Sequence, residues 1–481
     1  KMLIESKKTK IVATLGPVCE HEEGIRNLIE AGVSMFRLNT SHGTEEDHRR
    51  RIEIIRRVCK EKNIHLPVLV DLQGPKIRIG NLESEMVITN GQKLVFSPSV
   101  KEKDIIPVDY AGLANDVKPG DMMLIDDGKL EVVVEKVEDD KVYTEVVNGG
   151  VLKSRKGLNI PGSTASLAAV TPRDVKFIEF AVNNNADYVA LSFVRQKEDI
   201  LTARDYIKNF GGDIPIIAKI EKPQAVDNMK EIIQVSDGVM VARGDLGIEI
   251  SPEKVPIVQK RIINEALQQR KVTIVATQML ETMIEQPIPT RAEASDVANA
   301  IIDGTDAIML SGETSVGKFY AEAVHMMTMI AENVEHSDFC RYDLDLPINP
   351  CYHMTRQAVV NAAVKMVKDI DAKAILAFTH TGYTPKLMSK LRPKVPIIVI
   401  SDSEATCRRL NLFWDMFPFC RNWDRVLNRE FLIELDEFLL SNTDLKADDR
   451  VILTGSIPKL ITGKTNFIRV HRIGATSVED V

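Results

Sequence analysis

Short β-prone runs alternate with amphipathic helical segments along most of this 481-residue chain, and that order restricts the fold more than any other feature. Between Lys10 and about Glu335 there are eight apolar runs of strand length, and each is followed by a helical pattern. Strands that alternate with helices pair in parallel, and eight such units are the number that closes a (β/α)8 barrel. The sequence therefore predicts an α/β protein whose largest part is a (β/α)8 barrel.

One segment of different character interrupts this pattern between the third strand and the third helix. It contains short alternating β runs, turn pairs such as Asn90-Gly91 and Asp127-Gly128, and no convincing helix, which is typical of a small β-barrel or sandwich. Because the active site of a (β/α)8 barrel lies at the carboxyl ends of the strands, an insertion at this point predicts a lid over the catalytic face. An insertion that serves stability alone is the alternative.

A third region follows a polar connector that begins at His336. Its buried-type strands are separated by helical segments, and NFIRVHRI near its end reads as an edge strand, so we predict an open α/β sheet of roughly five strands. The predicted domains are a (β/α)8 barrel (1–73 and 163–337), an inserted small β-barrel lid (74–162) and a C-terminal α/β sheet domain (338–481).

The composition is that of an ordinary soluble protein. The net charge is −7 and charged residues make up 27%, so there is no basic bias that would indicate a nucleic-acid partner. The six cysteines are scattered without a C-x-x-C pair, which favours reduced thiols in a cytoplasm over a zinc site or a disulfide framework. No apolar run approaches the length of a membrane span, and the first ten residues lack the apolar core of a signal peptide. We therefore expect a cytoplasmic protein with no membrane or nucleic-acid partner.

The fifth and sixth predicted strands carry a lysine and two carboxylates. Alternation by two places Lys219 and Glu221 on the same side of one strand, and Asp245 follows the next strand. If the two strands are parallel neighbours, Glu221 and Asp245 meet at their ends, where they suit a hard divalent cation that holds a phosphorylated acid. Magnesium is the natural choice, with manganese as a substitute. A buried ion pair in the barrel core is the alternative for Lys219 and Glu221.

Polar residues also end other strands of the predicted barrel, where this fold builds its active site. A ring of basic, acidic and hydroxyl groups is poor core packing, and a glycine before a helix lets backbone amides approach an anion. The strand-end residues are Arg37, Asn39, Ser41, Asp71, Lys219, Glu221, Arg243, Gly244, Asp245, Thr277 and Ser311. Together they predict an enzyme that handles a phosphorylated carboxylate with a divalent metal.

Six segments resemble the signature sequences of the pyruvate kinase family, in the family's order, and the resemblance covers nearly the whole chain. They are RLNTSHG, DLQGPKIR, IAKIEKPQAVDN, SDGVMVARGDLGIEI, ATQMLETMI and PTRAEASDVANAIIDGTDAIMLSGETSVGK. The resemblance implies the fold predicted above and transfer of the phosphoryl group of phosphoenolpyruvate to ADP, a step of glycolysis that gives pyruvate and ATP. It also implies a homotetramer with allosteric control through the C-terminal domain.

The resemblance assigns roles to the residues at the barrel mouth. Lys219 would stabilise the phosphoryl group in transit and the enolate left behind, and Arg37 would contact the phosphoryl group. Glu221 and Asp245 would bind magnesium. These roles fit phosphoryl transfer, which depends mainly on positioning and charge neutralisation.

Further roles follow from the same resemblance. Gly244, with Asp245 and Thr277, would hold the carboxylate end of phosphoenolpyruvate. Arg78 and Lys156 would contact the nucleotide phosphates. The proton donor to the enolate stays open between Thr277, Ser311 and a bound water.

The family binds a monovalent cation with Asn39, Ser41, Asp71 and the backbone of Leu72. Members that require this cation usually carry glutamate where this chain has Lys76. The ammonium of Lys76 would bring a fixed positive charge to the same neighbourhood, where charge neutralisation counts for more than in bulk water. We therefore expect no requirement for potassium. The alternative is that Lys76 projects into solvent and the cation still binds.

The turn from Thr379 to Thr384 follows a buried strand and precedes a helix, so its amide and hydroxyl groups can form an anion site. The resemblance places the family's effector phosphate here. We expect Thr379, Thr381, Gly382 and Thr384 to bind a phosphorylated sugar or nucleotide. The C-terminal loop that supplies the family's second effector contact departs from its common Gly-rich form, which leaves the identity of the effector open. An ordinary strand-to-helix turn is the alternative.

Three other positions depart from the family's usual pattern, namely Gln73, Lys222 and Ala225. None is an assigned ligand, although Lys222 would add a positive charge near the metal. Two other functions compete: a lyase or aldolase that works through a pyruvate enolate on the same barrel, and a non-catalytic regulatory protein. The inserted lid with its basic residues argues against the lyase, and the intact set of catalytic residues argues against the regulatory protein.

Overall fold

The computed structural model describes residues 7–99, 105–161, 167–350, 352–461 and 464–475. Eight parallel strands close into a barrel, in which the last strand pairs with the first through Lys10 and Ala307. We number them as the first to eighth barrel strands, and they span Lys10–Thr14, Met35–Asn39, Val68–Asp71, Tyr188–Leu191, Ile216–Ile220, Gly238–Ala242, Val272–Ala276 and Ala307–Leu310. The predicted (β/α)8 barrel is confirmed.

Both faces of the barrel strands are buried, which explains their nearly continuous apolar sequence. In the first strand, Ile11 and Ala13 pack in the layer between strands and helices, whereas Val12 packs with residues of the barrel interior. The strands are short and rich in β-branched residues, which pack well on a buried sheet surface.

The barrel helices follow the predicted order and begin where the sequence places capping residues. Thr44, Thr171 and Thr290 each form a capping box with the acidic residue three positions later, as their spacing indicates. The longer helices are Glu22–Ala31, Glu45–Lys62, Pro172–Asn183, Lys197–Asn209, Val255–Gln268, Arg291–Asp303 and Tyr320–Glu335. The shorter ones are Pro223–Asp227, Met229–Val235, Arg243–Ile250 and Gly312–Ser315, with 3-10 turns at Pro252–Lys254 and Glu281–Ile284.

Two of these helices differ from the sequence-based expectation. Helical spacing runs from Pro223 to Val235 and predicts one helix, but the structure divides it at Asn228, which caps both halves. The sixth strand ends at Ala242, so Arg243, Gly244 and Asp245 form the first turn of a helix and are not part of the strand. Two glycines in that helix lower its intrinsic propensity, and its tertiary contacts override the penalty.

The inserted segment is rich in strands, as predicted. Seven strands form one sheet and two form a separate ribbon, and an isolated bridge between Ile79 and Val108 joins the two edges of the larger sheet. The sheet therefore curls toward a small barrel around its own apolar core. One short helix, Leu113–Asp116, was not predicted. The strands are Ile77–Arg78, Met86–Ile88, Lys93–Ser97, Ile105–Pro107, Met122–Ile125, Leu130–Glu138, Lys141–Asn148, Gly150–Leu152 and Gly157–Asn159.

The C-terminal region forms the predicted open five-stranded sheet. Four strands are parallel, and the predicted edge strand Phe467–Arg472 pairs antiparallel with its neighbour. The others are Ala374–Phe378, Ile397–Ser401, Met416–Cys420 and Arg450–Gly455, and the helices are Met354–Asp369, Tyr383–Lys390, Glu404–Leu410 and Arg429–Asn442.

Buried ion pairs join the C-terminal sheet domain to the amino-terminal end of the barrel, opposite the mouth. Asp306, directly before the eighth strand, pairs with Lys390, and its other oxygen lies 3.1 Å from Arg392 Nη2. Lys8 Nζ lies 2.5 Å from Asp415 Oδ2. The two added domains thus occupy opposite ends of the barrel.

The exact domain limits stay predictions. The proposed boundary at residues 162 and 163 lies outside the described residues, as do 1–6 and 476–481 at the chain ends. Among the residues that the structure does describe, no helix has the length and apolar character needed to cross a bilayer.

Candidate active site

Lys219 lies at the centre of the barrel mouth between two buried carboxylates. Its Nζ is 3.0 Å from Glu221 Oε1 and 3.3 Å from Asp71 Oδ1. It also donates a hydrogen bond to the hydroxyl of Ser192 at 2.8 Å. The fifth strand presents Lys219 and Glu221 on one side, as alternation predicts, and the third strand ends in Asp71.

The electrostatics of this cluster follow from burial and from its charges. Burial works against the charged form of Lys219, but the carboxylates of Asp71 and Glu221 outweigh it and hold the lysine pKa above its ordinary value. Burial also opposes ionisation of Asp71, yet the charges of Lys219 and Arg37 keep its pKa below the usual range. The pKa of Glu221 is raised by burial and by the nearby Asp245 carboxylate, which Lys219 only partly offsets.

Arg37 extends the positive side of the cluster. Its Nε donates to Asp71 Oδ2 at 2.6 Å and its Nη1 donates to the hydroxyl of Thr14 at 3.0 Å. Because the side chain is buried at the end of the second strand, these two partners fix the direction of the guanidinium. Asp71 therefore lies between two fixed cations, Arg37 and Lys219.

The residues predicted to bind a monovalent cation lie on neighbouring strands, where Asn39 pairs with Asp71 in register. Some of their oxygens already accept hydrogen bonds: Asn39 Oδ1 from the Ser41 amide at 3.1 Å, and the Leu72 carbonyl from the Ser192 hydroxyl at 2.6 Å. In the described part of the chain, Asp71 Oδ1 has no hydrogen-bond partner.

Lys76 lies apart from that set. Its Nζ is 3.9 Å from Asp127 Oδ1 of the lid, and its side chain passes close to Gly157. No ion pair or hydrogen bond among the described residues joins Lys76 to Asn39, Ser41 or Asp71.

The helix that begins at Arg243 supplies the opposite wall. The Gly244 amide donates to the Thr277 hydroxyl at 2.7 Å, so one predicted anion-binding amide already has a protein partner. Arg243 donates to the Thr277 carbonyl at 2.8 Å and to Asp296 Oδ1 at 2.6 Å. Thr277 has φ +72°, which a β-branched residue rarely adopts, and Arg243 holds this strained backbone in place. Asp245 lies in the first turn of the same helix.

Ser311 follows the eighth strand and has a buried hydroxyl without a hydrogen-bond partner among the described residues. Its amide donates to Glu313 Oε2 at 2.8 Å, and the Leu280 amide donates to Oε1 at 3.1 Å. Burial raises the pKa of Glu313 above its ordinary value despite these bonds. The loop after the eighth strand therefore holds one free hydroxyl beside a protonatable carboxyl group.

The residues fit a divalent metal of the hard, oxygen-preferring type. Glu221 Oε1 is buried and has no hydrogen bond in the described structure, although it faces Lys219. Its other oxygen accepts the Phe193 amide at 2.7 Å, which fixes the carboxylate plane. No group of three or more histidine, cysteine or acidic residues in the described ranges is arranged to hold a metal.

The lid residues predicted to bind nucleotide have partners of their own. Lys156 Nζ lies 2.8 Å from Asp126 Oδ1, and Arg78 Nη1 donates to the Arg155 carbonyl at 3.1 Å. Neither residue forms an ion pair or hydrogen bond with Lys219 or Glu221 in the described structure. A cleft of about 790 Å³, lined by residues of both the lid and the Arg243–Ile250 helix, separates the lid from that wall of the barrel.

The predicted effector residues line a separate cavity of about 310 Å³ in the C-terminal domain. Gly382 has φ +76° and its amide donates to the Thr379 hydroxyl at 3.0 Å, so the turn closes on itself. Thr381 is exposed, and the Thr384 hydroxyl is hydrogen-bonded to that of Thr465 at 2.5 Å. Arg356, from a preceding helix, also lines this cavity.

Sequence reasoning missed some residues of the site. Ser192 and Phe193 directly follow the fourth strand, and the rule that strand ends build the site would have found them. Arg356 gave no local signal, because it stands at the start of a helix that reaches the cavity only through tertiary packing. The sequence did not indicate the partner of Lys222, whose Nζ lies 2.9 Å from Glu249 Oε1.

A closed barrel whose mouth holds a buried lysine between two carboxylates, and which carries a lid at one end, defines this chain as a (β/α)8-barrel enzyme. The family model "Pyruvate kinase, barrel domain" matches residues 6–324, and "Pyruvate kinase, alpha/beta domain" matches 357–471. The chain therefore belongs to the pyruvate kinase family.

Curated relatives agree with this membership. A pyruvate kinase of Thermococcus litoralis is 40% identical over 479 residues, which cover 98% of this chain and 100% of the relative. One from Sporosarcina psychrophila is 41% identical over 97% of this chain and 81% of its own length. One from Staphylococcus aureus (strain USA300) is 39% identical over the same shares. The similarity extends over all parts of the fold.

Proposed function

We propose that this chain performs the reaction of its family at the barrel mouth, around Lys219. The reaction moves the phosphoryl group of phosphoenolpyruvate to ADP and gives pyruvate and ATP. The observation that carries the assignment is the position of Lys219, a buried cation held between Asp71 and Glu221 with Arg37 close by. Fixed positive charge of this kind neutralises a phosphoryl group in transit and an enolate that forms beside it.

A divalent metal completes the site. Glu221 and Asp245 would bind magnesium, or manganese in its place, and the metal would bridge them to substrate oxygens. Glu221 Oε1 supports this assignment, because this buried oxygen faces the Lys219 ammonium at 3.0 Å and retains a lone pair for a second cation. Gly244 and Thr277 would orient the carboxylate of phosphoenolpyruvate against the same ion.

The enolate requires a proton, and two hydroxyls are candidates besides a bound water. Thr277 already accepts the Gly244 amide and keeps its own proton free to donate. The Ser311 hydroxyl has no partner in the described structure and lies beside Glu313. This arrangement favours a short proton relay in which one of these hydroxyls donates the proton to the enolate.

The lid would carry the nucleotide. Arg78 and Lys156 would contact the phosphates of ADP, and their present partners in the lid would be exchanged for phosphate oxygens when the nucleotide enters. The cleft between the lid and the Arg243–Ile250 helix leaves room for the nucleotide. Charge neutralisation by two such cations is the usual contribution of protein side chains to phosphoryl transfer.

The monovalent-cation site would be formed by Asn39, Ser41, Asp71 and the Leu72 backbone, and Lys76 would make potassium dispensable. Asp71 Oδ1, which lies 3.3 Å from Lys219 Nζ, would also face this cation. Lys76 lies beside Asp127, so this proposal requires its side chain to leave Asp127 and turn toward the site when substrates bind.

The C-terminal cavity would bind an allosteric effector, a phosphorylated sugar or nucleotide, in a homotetramer located in the cytoplasm. Hydroxyls of Thr379, Thr381 and Thr384 and the amides around Gly382 suit a phosphate. Arg356 strengthens the proposal, because its Nε has no hydrogen bond in the described structure and its guanidinium stacks 4.8 Å from the Tyr383 ring.

One assay tests the function. Phosphoenolpyruvate, ADP and magnesium are supplied, and formation of ATP and pyruvate is followed together. Equal amounts of the two products, dependent on ADP, are expected. Pyruvate without ATP would indicate a lyase or phosphatase, and no turnover under any condition would indicate a regulatory protein on the same fold.

A further inference from the structure

A buried ionic cluster connects the lid with two elements of the barrel mouth. Lys222 Nζ lies 2.9 Å from Glu249 Oε1, and the Asn159 side-chain amide donates to the same oxygen at 3.2 Å. Asn159 belongs to the last strand of the lid, whereas Glu249 and Lys222 belong to the barrel. One carboxylate oxygen therefore receives a donor from each side of the junction.

The cluster is shielded from water. Glu249 and Asn159 are each 6% exposed, and the Lys222 ammonium lies 5.7 Å from the centre of the Phe193 ring. Glu249 Oε2 and Asn159 Oδ1 have no hydrogen-bond partner within the described residues. Lys222 is thus the cation that balances a buried carboxylate, and losing it would leave that charge uncompensated.

The three residues stand next to the groups that perform the reaction. Lys222 directly follows Glu221, and Glu249 lies in the last turn of the helix whose first turn carries Asp245. On the lid side, Gly157, two residues before Asn159, pairs in register with Arg78 and directly follows Lys156. The cluster therefore joins the strand of the proposed nucleotide residues to both elements that carry the metal carboxylates.

We infer that Lys222, through Glu249 and Asn159, fixes the lid at the distance and angle over the barrel that the nucleotide requires. Lys222 is a positioning residue in this role and does not touch substrate. The inference rests on the proposed nucleotide site in the lid. The family that this chain resembles usually has asparagine at this position, and asparagine has neither the length nor the charge of lysine.

Loss of the cluster should raise the KM for ADP more than the KM for phosphoenolpyruvate. The helix that carries Glu249 is held independently at its other end, where Gly244 bonds to Thr277 and Arg243 pairs with Asp296. Breaking the cluster therefore frees the lid while the phosphoenolpyruvate wall stays in place.

The test compares Lys222→Met with Lys222→Arg, and uses Lys230→Met as a control. Lys230 is exposed on the Met229–Val235 helix, and its side chain has no ion pair or hydrogen bond in the described structure. We expect Lys222→Met to raise the KM for ADP about tenfold or more, the ordinary cost of losing one hydrogen bond between charged groups. The KM for phosphoenolpyruvate should stay within about twofold, since its contacts are elsewhere. Lys222→Arg should restore most of the affinity, and the control should match the wild type.

Equal rises in both KM values, or no rise in either, would overturn the inference. Hydrogen exchange of the unliganded enzyme gives a second measurement that does not depend on nucleotide binding. In Lys222→Met, amides of the Gly157–Asn159 strand should exchange faster while those of the barrel strands keep their rates. Faster exchange throughout the barrel, or none in the lid, would show that the cluster is merely structural.

The proposed nucleotide site and the positioning role of Lys222 can be refuted separately. If Lys156→Met leaves the KM for ADP unchanged, the proposed nucleotide site is wrong, whereas faster lid exchange in Lys222→Met would still support the tie between lid and barrel. If Lys156→Met raises the KM for ADP and Lys222→Met does not, the nucleotide site stands and the positioning role of Lys222 is refuted.

Discussion

Replacing Lys219 by methionine removes the cation at the centre of the barrel mouth while keeping a side chain of similar length. Three contacts disappear: those to Glu221 at 3.0 Å, to Asp71 at 3.3 Å and to the Ser192 hydroxyl at 2.8 Å. Asp71 keeps Arg37 as a partner, whereas Glu221 keeps only the Phe193 amide among its described contacts. Glu221 is therefore the group most affected.

The expected loss in turnover follows from the charge that Lys219 would neutralise in the transition state. Removal of one such preorganised donor costs about 10²–10³ in kcat. Binding of phosphoenolpyruvate should change much less, because Arg37, Gly244 and Thr277 are untouched. Breaking the buried pair also lowers the free energy of unfolding by about 3–5 kcal/mol, so the variant must be compared at a temperature where it is folded.

The assay measures kcat and the KM for phosphoenolpyruvate at saturating ADP and magnesium, with folding checked by thermal unfolding. Lys230→Met serves as the control for removing a lysine from this region. A Lys219→Met enzyme that is folded and turns over within a few fold of the wild type would refute the role of Lys219.

Three other predictions test separate parts of the proposal. Activity should not depend on potassium when a bulky organic cation keeps the ionic strength fixed, and Lys76→Glu should create a potassium requirement. Activation of the wild type by potassium of about tenfold or more would contradict the proposal that the Lys76 ammonium replaces the cation. When phosphorylated sugars and AMP are screened one at a time, at least one compound should shift the phosphoenolpyruvate saturation curve. A screen in which no compound shifts the curve would count against the C-terminal effector site. Because burial raises the pKa of Glu221, protons compete with the metal for this carboxylate at a higher pH than for an exposed glutamate, so the apparent KM for magnesium should rise as the pH is lowered from neutrality. A flat profile over that range would show that Glu221 is not a ligand whose protonation limits binding.

Much of the fold could be predicted because its signals are local. Capping boxes at Thr44, Thr171 and Thr290 fix the starts of three helices within the sequence itself. Strand alternation correctly placed Lys219 and Glu221 on one side, and Asp71 reaches Lys219 from the end of the third strand, with the fourth strand between them. Local spacing and the strand-end rule are sufficient for these features.

Other features depend on partners that are distant in sequence. The helix at Arg243 forms despite its glycines, because contacts to Thr277 and Asp296 stabilise its first turn. Lys222 turns toward Glu249, 27 residues further along the chain, and no spacing rule connects the two. Arg356 reaches the C-terminal cavity from another helix. In each case tertiary packing decides the direction of a long side chain.

The buried ion pairs at the amino-terminal end of the barrel have a mechanical consequence. Asp306 and Asp415 are fully excluded from water, and each is tied across the junction by lysine or arginine. Separating one such pair costs about 3–5 kcal/mol, whereas effector coupling is typically worth about 1–3 kcal/mol. The free energy of effector coupling is therefore too small to separate these ion pairs. The C-terminal domain and the barrel are therefore expected to stay in contact through these ion pairs when an effector of that strength binds.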